Sequence, residues 1–307
     1  MPLFLGVDLG STTAKAVVVA ADGSIVAAST VQMGAVSRKG MQRAVDDALA
    51  EAGTTAAAIT RTVSTGYGRR LVPGADRSYT EITCHARGTA AMCPGVRLVI
   101  DIGGQDSKAI TVDAEGYVVD FAMNDRCASG TGRFYDVLAR AIECDLDDLG
   151  PLAMTGGEDL EVSSMCATFA ETEIVSLMAQ DLPVADIAAS VHRAIAARTL
   201  ALVAQVGRRT PVVLTGGVAR NPAAVHFLAE ALGAEVGVPE FPQITGAFGA
   251  ALLARDAARA APAARVADVD DPRQVGVAHA ALGHSCAGCN GQPSAIVQLG
   301  PVGGVQR

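Results

Sequence analysis

The stretch LGVDLGSTTAKAVVVAADGSIVAA, residues 5–28, falls on LVIDIGGQDSKAITVDAEGYVVDF, residues 98–121, when the chain is shifted by 93 positions. Asp8 then lands on Asp101, Gly10 on Gly103, Lys15 on Lys108 and Gly23 on Gly116. A unit repeated at this length predicts one supersecondary structure built twice. Each copy reads as strand, tight Gly turn, strand, Gly-containing hairpin turn (ADGS, AEGY) and strand, because β-branched apolar runs flank the turns.

A turn made of Gly and small hydroxyl residues lets backbone N–H groups converge on one spot, which suits phosphate oxygens. An Asp at the end of the preceding strand can orient Mg²⁺ and its waters. One such turn alone reads as an ordinary β-hairpin; the same Asp in both copies shifts the reading to a phosphate site. No GxxxxGK[ST] or GxGxxG string occurs, so neither a P-loop nor a dinucleotide fingerprint explains the turns. A third Gly-rich turn, VVLTGGVARNP at 212–222, follows a buried-type strand and precedes the helix-like AAVHFLAEAL. Gly216 and Gly217 would let a flat ring approach the backbone, so this is read as the nucleoside-facing loop, with Asn221 before Pro222 marking the next turn.

With 307 residues the size prior gives about two domains. Half the residues are hydrophobic, 4% are aromatic and Trp is absent, so the core must be built from Ala, Val, Leu and Ile. The net charge of −8, without a basic run or an aromatic-plus-basic stripe, argues against nucleic acid as a partner. The N-terminus MPLFLGVDLG lacks a signal-peptide pattern, and no window reaches the ~18 uninterrupted apolar residues needed to cross a bilayer. The expectation is a cytoplasmic protein with no membrane contact. Seven cysteines, an odd number without secretory features, point to reduced thiols or metal ligands rather than a disulfide framework.

Two of those cysteines share a setting. Cys127 in NDRCASGTGRFYDVLARAI precedes Phe134, Val137, Leu138, Ala141 and Ile142 at helical spacing. Cys166 in SSMCATFAETEIVSLM precedes Phe169, Ile174, Val175, Leu177 and Met178, with Thr168 and Glu171 as a capping pair. A thiol at a helix N-terminus has a lowered pKa and serves as nucleophile or metal ligand, whereas either cysteine alone reads as a small buried hydrophobe. Two thiolates are half of what a [4Fe–4S] cluster needs, and a symmetric dimer would supply four.

The two phosphate-type turns and the third loop, in this order over residues 3–255, resemble the actin, sugar-kinase and heat-shock-chaperone ATPase superfamily. That resemblance implies an α/β protein of two similar actin-like (ribonuclease H-like) lobes with a nucleotide cleft between them. The lobes would span 1–92 and 93–255. ITCHARG, IDIGGQDSK, NDRCASGTGRF, SSMCATFAETE and PQITGAFGAAL together narrow the resemblance to the ATP-dependent activators of 2-hydroxyacyl-CoA dehydratases and the related benzoyl-CoA reductase ATPase subunits.

The resemblance implies ATP, Mg²⁺ and a [4Fe–4S] cluster shared by a homodimer, with Cys127 and Cys166 as ligands from each subunit. Asp8 and Asp101 would organise Mg²⁺ and the attacking water, with Gln105 as a further catalytic group. Ser11, Thr12, Thr13, Lys15, Gly103 and Gly104 would surround the phosphates, and Asp136, Gly216, Gly217 and Gln243 would complete the nucleotide site. The partners implied are a ferredoxin or flavodoxin as electron donor and an acyl-CoA dehydratase or reductase as acceptor. ATP hydrolysis would drive the low-potential transfer. A small-molecule kinase of the same fold and a nucleotide-sensing module with structural cysteines are the competing readings; the short segment between the first two motifs leaves a kinase little room for a sugar-binding insertion.

Lys108 is read as a solvated strand-end residue outside the site, since exposed lysines are the rule. His192 is read as a helix-face residue, and the role of Cys84 is left open. Residues 256–307 form an Ala-, Gly- and Pro-rich tail in which His284, Cys286 and Cys289 make one C-x-x-C, half a metal site and more in keeping with a flexible or docking tail.

Overall fold

Both copies of the repeat build the same sheet. The first consists of β1 (Leu3–Leu9), β2 (Thr13–Ala20), β3 (Ile25–Gln32), β4 (Ile59–Thr65) and β5 (Arg77–Ser78), in the order β3-β2-β1-β4-β5. The second consists of β6 (Leu98–Ile102), β7 (Ser107–Val112), β8 (Val118–Asn124), β9 (Val212–Thr215) and β10 (Val236–Gly237), in the order β10-β9-β6-β7-β8. In each, the first three strands form an antiparallel meander and the fourth joins the first strand in parallel. The computed structural model describes residues 1–34, 36–125, 128, 130–160, 162 and 167–260. Cys127, Cys166, His284, Cys286 and Cys289 lie outside them.

Residue pairing repeats as well. Asp8 pairs with Lys15 on β2 and Thr65 on β4; Asp101 pairs with Lys108 on β7 and Thr215 on β9. The central strands β1 and β6 are almost wholly buried, which is why they read as continuous apolar runs rather than an alternation. The core is aliphatic, as the composition requires.

Helices cover both faces of both sheets. α1 (Arg38–Glu51), capped by Ser37 accepting from the Gly40 N–H, places Met41, Ala44, Ala48 and Leu49 against the first sheet. α2 (Glu81–Met92), capped by Thr80, sets Ile82 and Ala86 against Val99, Ile110 and Val213 of the second sheet. The other face of that sheet carries α3 (Gly132–Ala141), α4 (Leu146–Ala153), α5 (Ala167–Met178), α6 (Val184–Val206) and α7 (Pro222–Leu232), around Phe134, Leu138, Ile187 and Leu214. α8 (Thr245–Arg259) then returns to the first sheet, burying Ala247, Phe248 and Ala251 against Phe4, Val17 and Val63. It continues past Arg255, where the composition changes.

α6 is long and apolar enough to span a bilayer, but 56% of its most apolar window is buried in the protein. It acts here as the core helix of the second sheet. His192 on it is buried rather than on an open helix face: Nδ1 lies 2.7 Å from the Ala188 carbonyl, and Nε2 lies 3.0 Å from Asn221 Nδ2. Asn221 caps α7 through the Ala223 and Ala224 N–H groups, followed by Pro222 at the first helical position. Cys84 is buried between α2 and α8, where burial pushes its thiol up to about 12.

α2 and α8 cross in backbone contact, and the sequence permits this only through glycine. A Cβ at Gly88 would overlap the Thr245 carbonyl, and one at Gly249 would overlap the Cys84 carbonyl. Because rigid backbone lies on both sides, the added methyl has nowhere to go. Gly249→Ala is expected to cost about 3 kcal/mol, the upper part of the overpacking range. The check is the urea midpoint at unchanged slope; a midpoint equal to wild type would refute the crossing geometry.

Candidate functional site

Where the two repeat hairpins face each other, a cavity of about 320 Å³ opens, within the range of small-molecule sites. The β1–β2 turn contributes Gly10, Ser11, Thr12 and Thr13, and the β6–β7 turn contributes Gly103 and Gly104. Both turns close in the same way: the Gly10 N–H donates to the Thr13 carbonyl at 3.1 Å, and the Gly103 N–H to the Asp106 carbonyl at 2.9 Å. The third loop lines the cavity with Gly216, Gly217 and Asn221, while Asp136 of α3 and Gln243 ahead of α8 add to it. Of the nucleotide-site residues expected from sequence, Ser11, Thr12, Thr13, Lys15, Gly103, Gly104, Asp136, Gly216, Gly217 and Gln243 all line this cavity, as do Asp8 and Asp101. Gln105 is exposed and lies off the lining.

The floor is a chain of charges. Asp8 Oδ2 is 3.0 Å from Lys15 Nζ. Asp101 Oδ2 is 3.2 Å from Lys108 Nζ, which is also 2.6 Å from Asp106 Oδ2 and 3.3 Å from Glu81 Oε1. Lys108 is 3% exposed and lines the cavity, so the reading of a solvated strand-end lysine is corrected. A buried ammonium persists only with carboxylate partners, and here it has three. Burial opposes its charge, but Asp101, Asp106 and Glu81 hold its pKa above the usual lysine value.

Burial likewise opposes ionisation of Asp101. The His85 ring, Lys108 and a 2.9 Å hydrogen bond from Thr215 Oγ1 overcome it and hold the carboxyl well below the usual range. His85 Nδ1 lies 3.4 Å from Asp101 Oδ1 and 3.0 Å from Thr245 Oγ1, and burial holds the ring below its ordinary value. Glu81, first residue of α2, is pushed up to about 7 by burial, with Lys108 pulling against it. Tyr67, at the cavity edge, is raised to about 12 by burial and by Asp106.

Among the lining groups that sequence reasoning left out of the site, Glu81, His85, Asp106 and Lys108 form its charged floor. A signal for the neighbourhood was present: VSTGYG at 63–68 and VLTGGV at 213–218 extend the repeat to β4 and β9. Thr65–Gly66 and Thr215–Gly216 both follow the strand parallel to the Asp strand. Both glycines have positive φ, +85° and +86°, and a side chain at either would crowd the neighbouring Asp Oδ1.

The donor chemistry suits Mg²⁺. Asp8 Oδ1 accepts no hydrogen bond from a described residue, which leaves one carboxylate oxygen for the ion or its water. The described residues contain no group of three or more His, Cys, Asp or Glu able to cage a metal. Mg²⁺ is usually held in that manner, by one or two carboxylates, phosphate oxygens and water. The described cysteines, Cys84, Cys93 and Cys144, are free thiols that belong to no such group. The expected cluster ligands Cys127 and Cys166 fall outside the described residues; α3 follows the first, α5 directly follows the second, and the two helices pack together.

Paired hairpins with Asp at the strand ends, two mixed sheets and a third loop closing the cavity define an actin-like nucleotide-binding fold. The chain belongs to the BadF/BadG/BcrA/BcrD ATPase family, whose model matches residues 5–254. It is 44% identical over 255 residues to the activator of lactoyl-CoA dehydratase of Anaerotignum propionicum, covering 83% of this chain and 98% of that protein. It is 41% identical to the 2-hydroxyisocaproyl-CoA dehydratase activator of Clostridioides difficile, over 83% of this chain and 96% of the relative. The crystal structure of the Clostridium difficile activator with bound ADPNP superposes with a TM-score of 0.80 at 40% identity, over 84% of this chain and 96% of that one. A benzoyl-CoA reductase subunit of Thauera aromatica is 30% identical over 82% of this chain and 93% of its own length.

Two outcomes follow from the charge cluster. Lys108→Met leaves buried carboxylates without their cation and is expected to cost about 3–5 kcal/mol, on the order measured for broken buried pairs, in denaturation at pH 8. For Glu81, a carboxyl raised in the fold from 4.5 to about 7 binds a proton on folding between those values. Stability from this group therefore falls as pH rises from 4.5 to 7 and is level above. Glu81→Gln should remove that slope, so the difference between the wild-type and variant pH–stability curves must change across this window; a constant difference would refute it.

Proposed function

We propose that this protein is an ATP-hydrolysing activator that delivers a low-potential electron to a partner 2-hydroxyacyl-CoA dehydratase. The observation that carries the reading is identity of 41–44% over almost the full length of two proteins named as dehydratase activators, against 30% to a benzoyl-CoA reductase subunit. The reductase reading is the second one, favoured only by that more distant relative.

In the nucleotide site, Asp8 would take Mg²⁺ or its water through the free Oδ1, while Lys15 keeps Oδ2 fixed. Asp101, held ionised by Lys108 and Thr215, would orient the attacking water from the other hairpin. Backbone N–H groups of the two Gly turns would surround the phosphates, so catalysis is positioning and charge neutralisation, with no covalent step on the protein. Asp136, Gly216, Gly217 and Gln243 would face the nucleoside, and Gln105 would approach only from the outer side of its turn.

Cys127 and Cys166, ahead of the packed helices α3 and α5, would supply two thiolates per chain to a [4Fe–4S] cluster shared by a homodimer. Bound there, the cluster would supply one-electron storage, reloaded by a ferredoxin or flavodoxin. The setting would be the cytoplasm.

The test uses anaerobically purified protein. Asp8→Asn is expected to lower ATPase kcat about 100-fold or more, the scale for losing one preorganised electrostatic group. Cys127→Ser and Cys166→Ser should each abolish about four irons per two chains while nucleotide binding persists. Iron-free wild type after cluster reconstitution, or iron retained in both variants, would sink the electron-transfer reading. Reduction of a dehydratase but not of a benzoyl-CoA reductase core separates the two readings.

A further inference from the structure

The β6–β7 turn is gripped from behind. The Gly132 N–H donates to the Gly103 carbonyl at 2.8 Å, and the Arg133 N–H donates to the Gly104 carbonyl at 2.9 Å. These are the first two N–H groups of α3, donors that have no partner inside their own helix. In most helices such groups meet a side-chain cap or water; here Thr131, the residue before them, makes no side-chain cap bond to α3. Its hydroxyl turns back to the Ala128 carbonyl at 2.7 Å.

Peptide planarity converts this grip into an orientation. In a trans peptide the carbonyl of one residue and the N–H of the next point in opposite directions. The one cis bond among the described residues is Thr210–Pro211, so both peptides of the turn are trans. With the carbonyls of Gly103 and Gly104 drawn onto α3, the N–H groups of Gly104 and Gln105 are held facing away from it. Neither donates to another described residue. The first hairpin lies against this turn: a Cβ on Gly104 would overlap Thr12, itself part of the cavity lining.

We propose that the backbone N–H groups of Gly132 and Arg133 are positioning groups of the phosphate site. By fixing two carbonyls they preset two amide donors toward a phosphate oxygen. The proposal rests on the ATPase reading of the cavity. It gives Gln105 a different place from the one its side chain would suggest: its backbone N–H would serve the phosphate, while its side chain is exposed.

The arrangement works in both directions. A phosphate that accepts from the Gly104 and Gln105 N–H groups polarises the same peptide planes whose carbonyls hold α3, so the two sets of bonds reinforce one another. Nucleotide on one edge therefore tightens α3 on the other, and by linkage a tightened α3 raises nucleotide affinity by the same factor. α3 packs against α5, so both helices that follow the expected cluster cysteines lie downstream of the turn.

Arg133 has an exposed side chain and sits in the first turn of α3, where proline is tolerated and costs no bond internal to the helix. Arg133→Pro deletes the donor to Gly104; Arg133→Ala keeps it. The experiment measures binding of a non-hydrolysable ATP analogue by calorimetry and hydrogen exchange across 134–141, with and without the analogue, in anaerobically purified protein. The proline variant is expected to bind the analogue about 5-fold or more weakly and to lose the analogue-dependent slowing of exchange in α3. The alanine variant should retain both.

Gly132→Ala supplies a second arm if the proline variant fails to fold. Its methyl would lie 3.1 Å from the Gly103 oxygen and 3.3 Å from Gly104 Cα, and should weaken analogue binding by displacing the turn. Equal binding by the proline and alanine variants of Arg133, or α3 exchange indifferent to nucleotide in wild type, would overturn the proposal and leave the ATPase reading standing. Failure of wild type to bind the analogue at all would overturn both.

Discussion

Two carboxylates, Asp8 and Asp101, are buried at the ends of the central strands and face one cavity. Buried like charges persist only with local counter-charge, and the hairpin that places each Asp also brings the neutralising lysine to it from the paired strand. This constraint explains the repeat better than phosphate binding alone. A Gly turn suffices to expose amide donors, but a rung that sets Asp opposite Lys also brings each buried carboxyl a counter-charge. The lysine cannot be displaced along its strand by one residue without turning to the opposite face of the sheet.

The two copies solve the problem unequally. Lys15 is 15% exposed at its side chain and serves Asp8 alone, whereas Lys108 is enclosed and serves Asp101, Asp106 and Glu81. Asp101 is correspondingly saturated, with both oxygens engaged, while Asp8 keeps one oxygen open. The duplicated motif thus yields different settings on its two sides: a carboxyl with both oxygens engaged on one and a carboxyl with one oxygen open on the other. Glu81 belongs to this asymmetry: it reaches Lys108 from the first turn of α2, whereas α8, which follows β10 as α2 follows β5, begins at Thr245 and carries no acidic residue in its first turn.

The sheets and the cavity are legible in the sequence because they follow from local rules: a repeat, Gly turns, and strands bounded by apolar runs. What escapes is determined by contacts remote in sequence. Lys108 reads as a solvent-facing residue because lysine usually is exposed, and it is Glu81, brought by α2, that joins Asp101 and Asp106 around its ammonium. His85 reaches Asp101 and Thr245 across the α2–α8 crossing, a juxtaposition that no spacing encodes. The Thr-Gly pairs at 65–66 and 215–216 are written in the sequence, but at an offset different from that of the hairpins, because the insertion between β8 and β9 is longer than the segment between β3 and β4.

That longer insertion separates this chain from a bare nucleotide-binding duplication. Between β3 and β4 the first half carries a single α-helix, while between β8 and β9 the second half carries α3 to α6. An insertion that merely decorated an edge could drift without consequence for the site. This one begins by committing its first two helical N–H groups to the phosphate turn, and α4 adds Leu146 and Asp147 to the cavity wall. The inserted helices are therefore built onto the cavity rather than beside it, and the turn is joined to α3 by two hydrogen bonds and through α3 to α5 by packing. Duplication supplies the charged cleft; the insertion supplies something for the cleft to act upon.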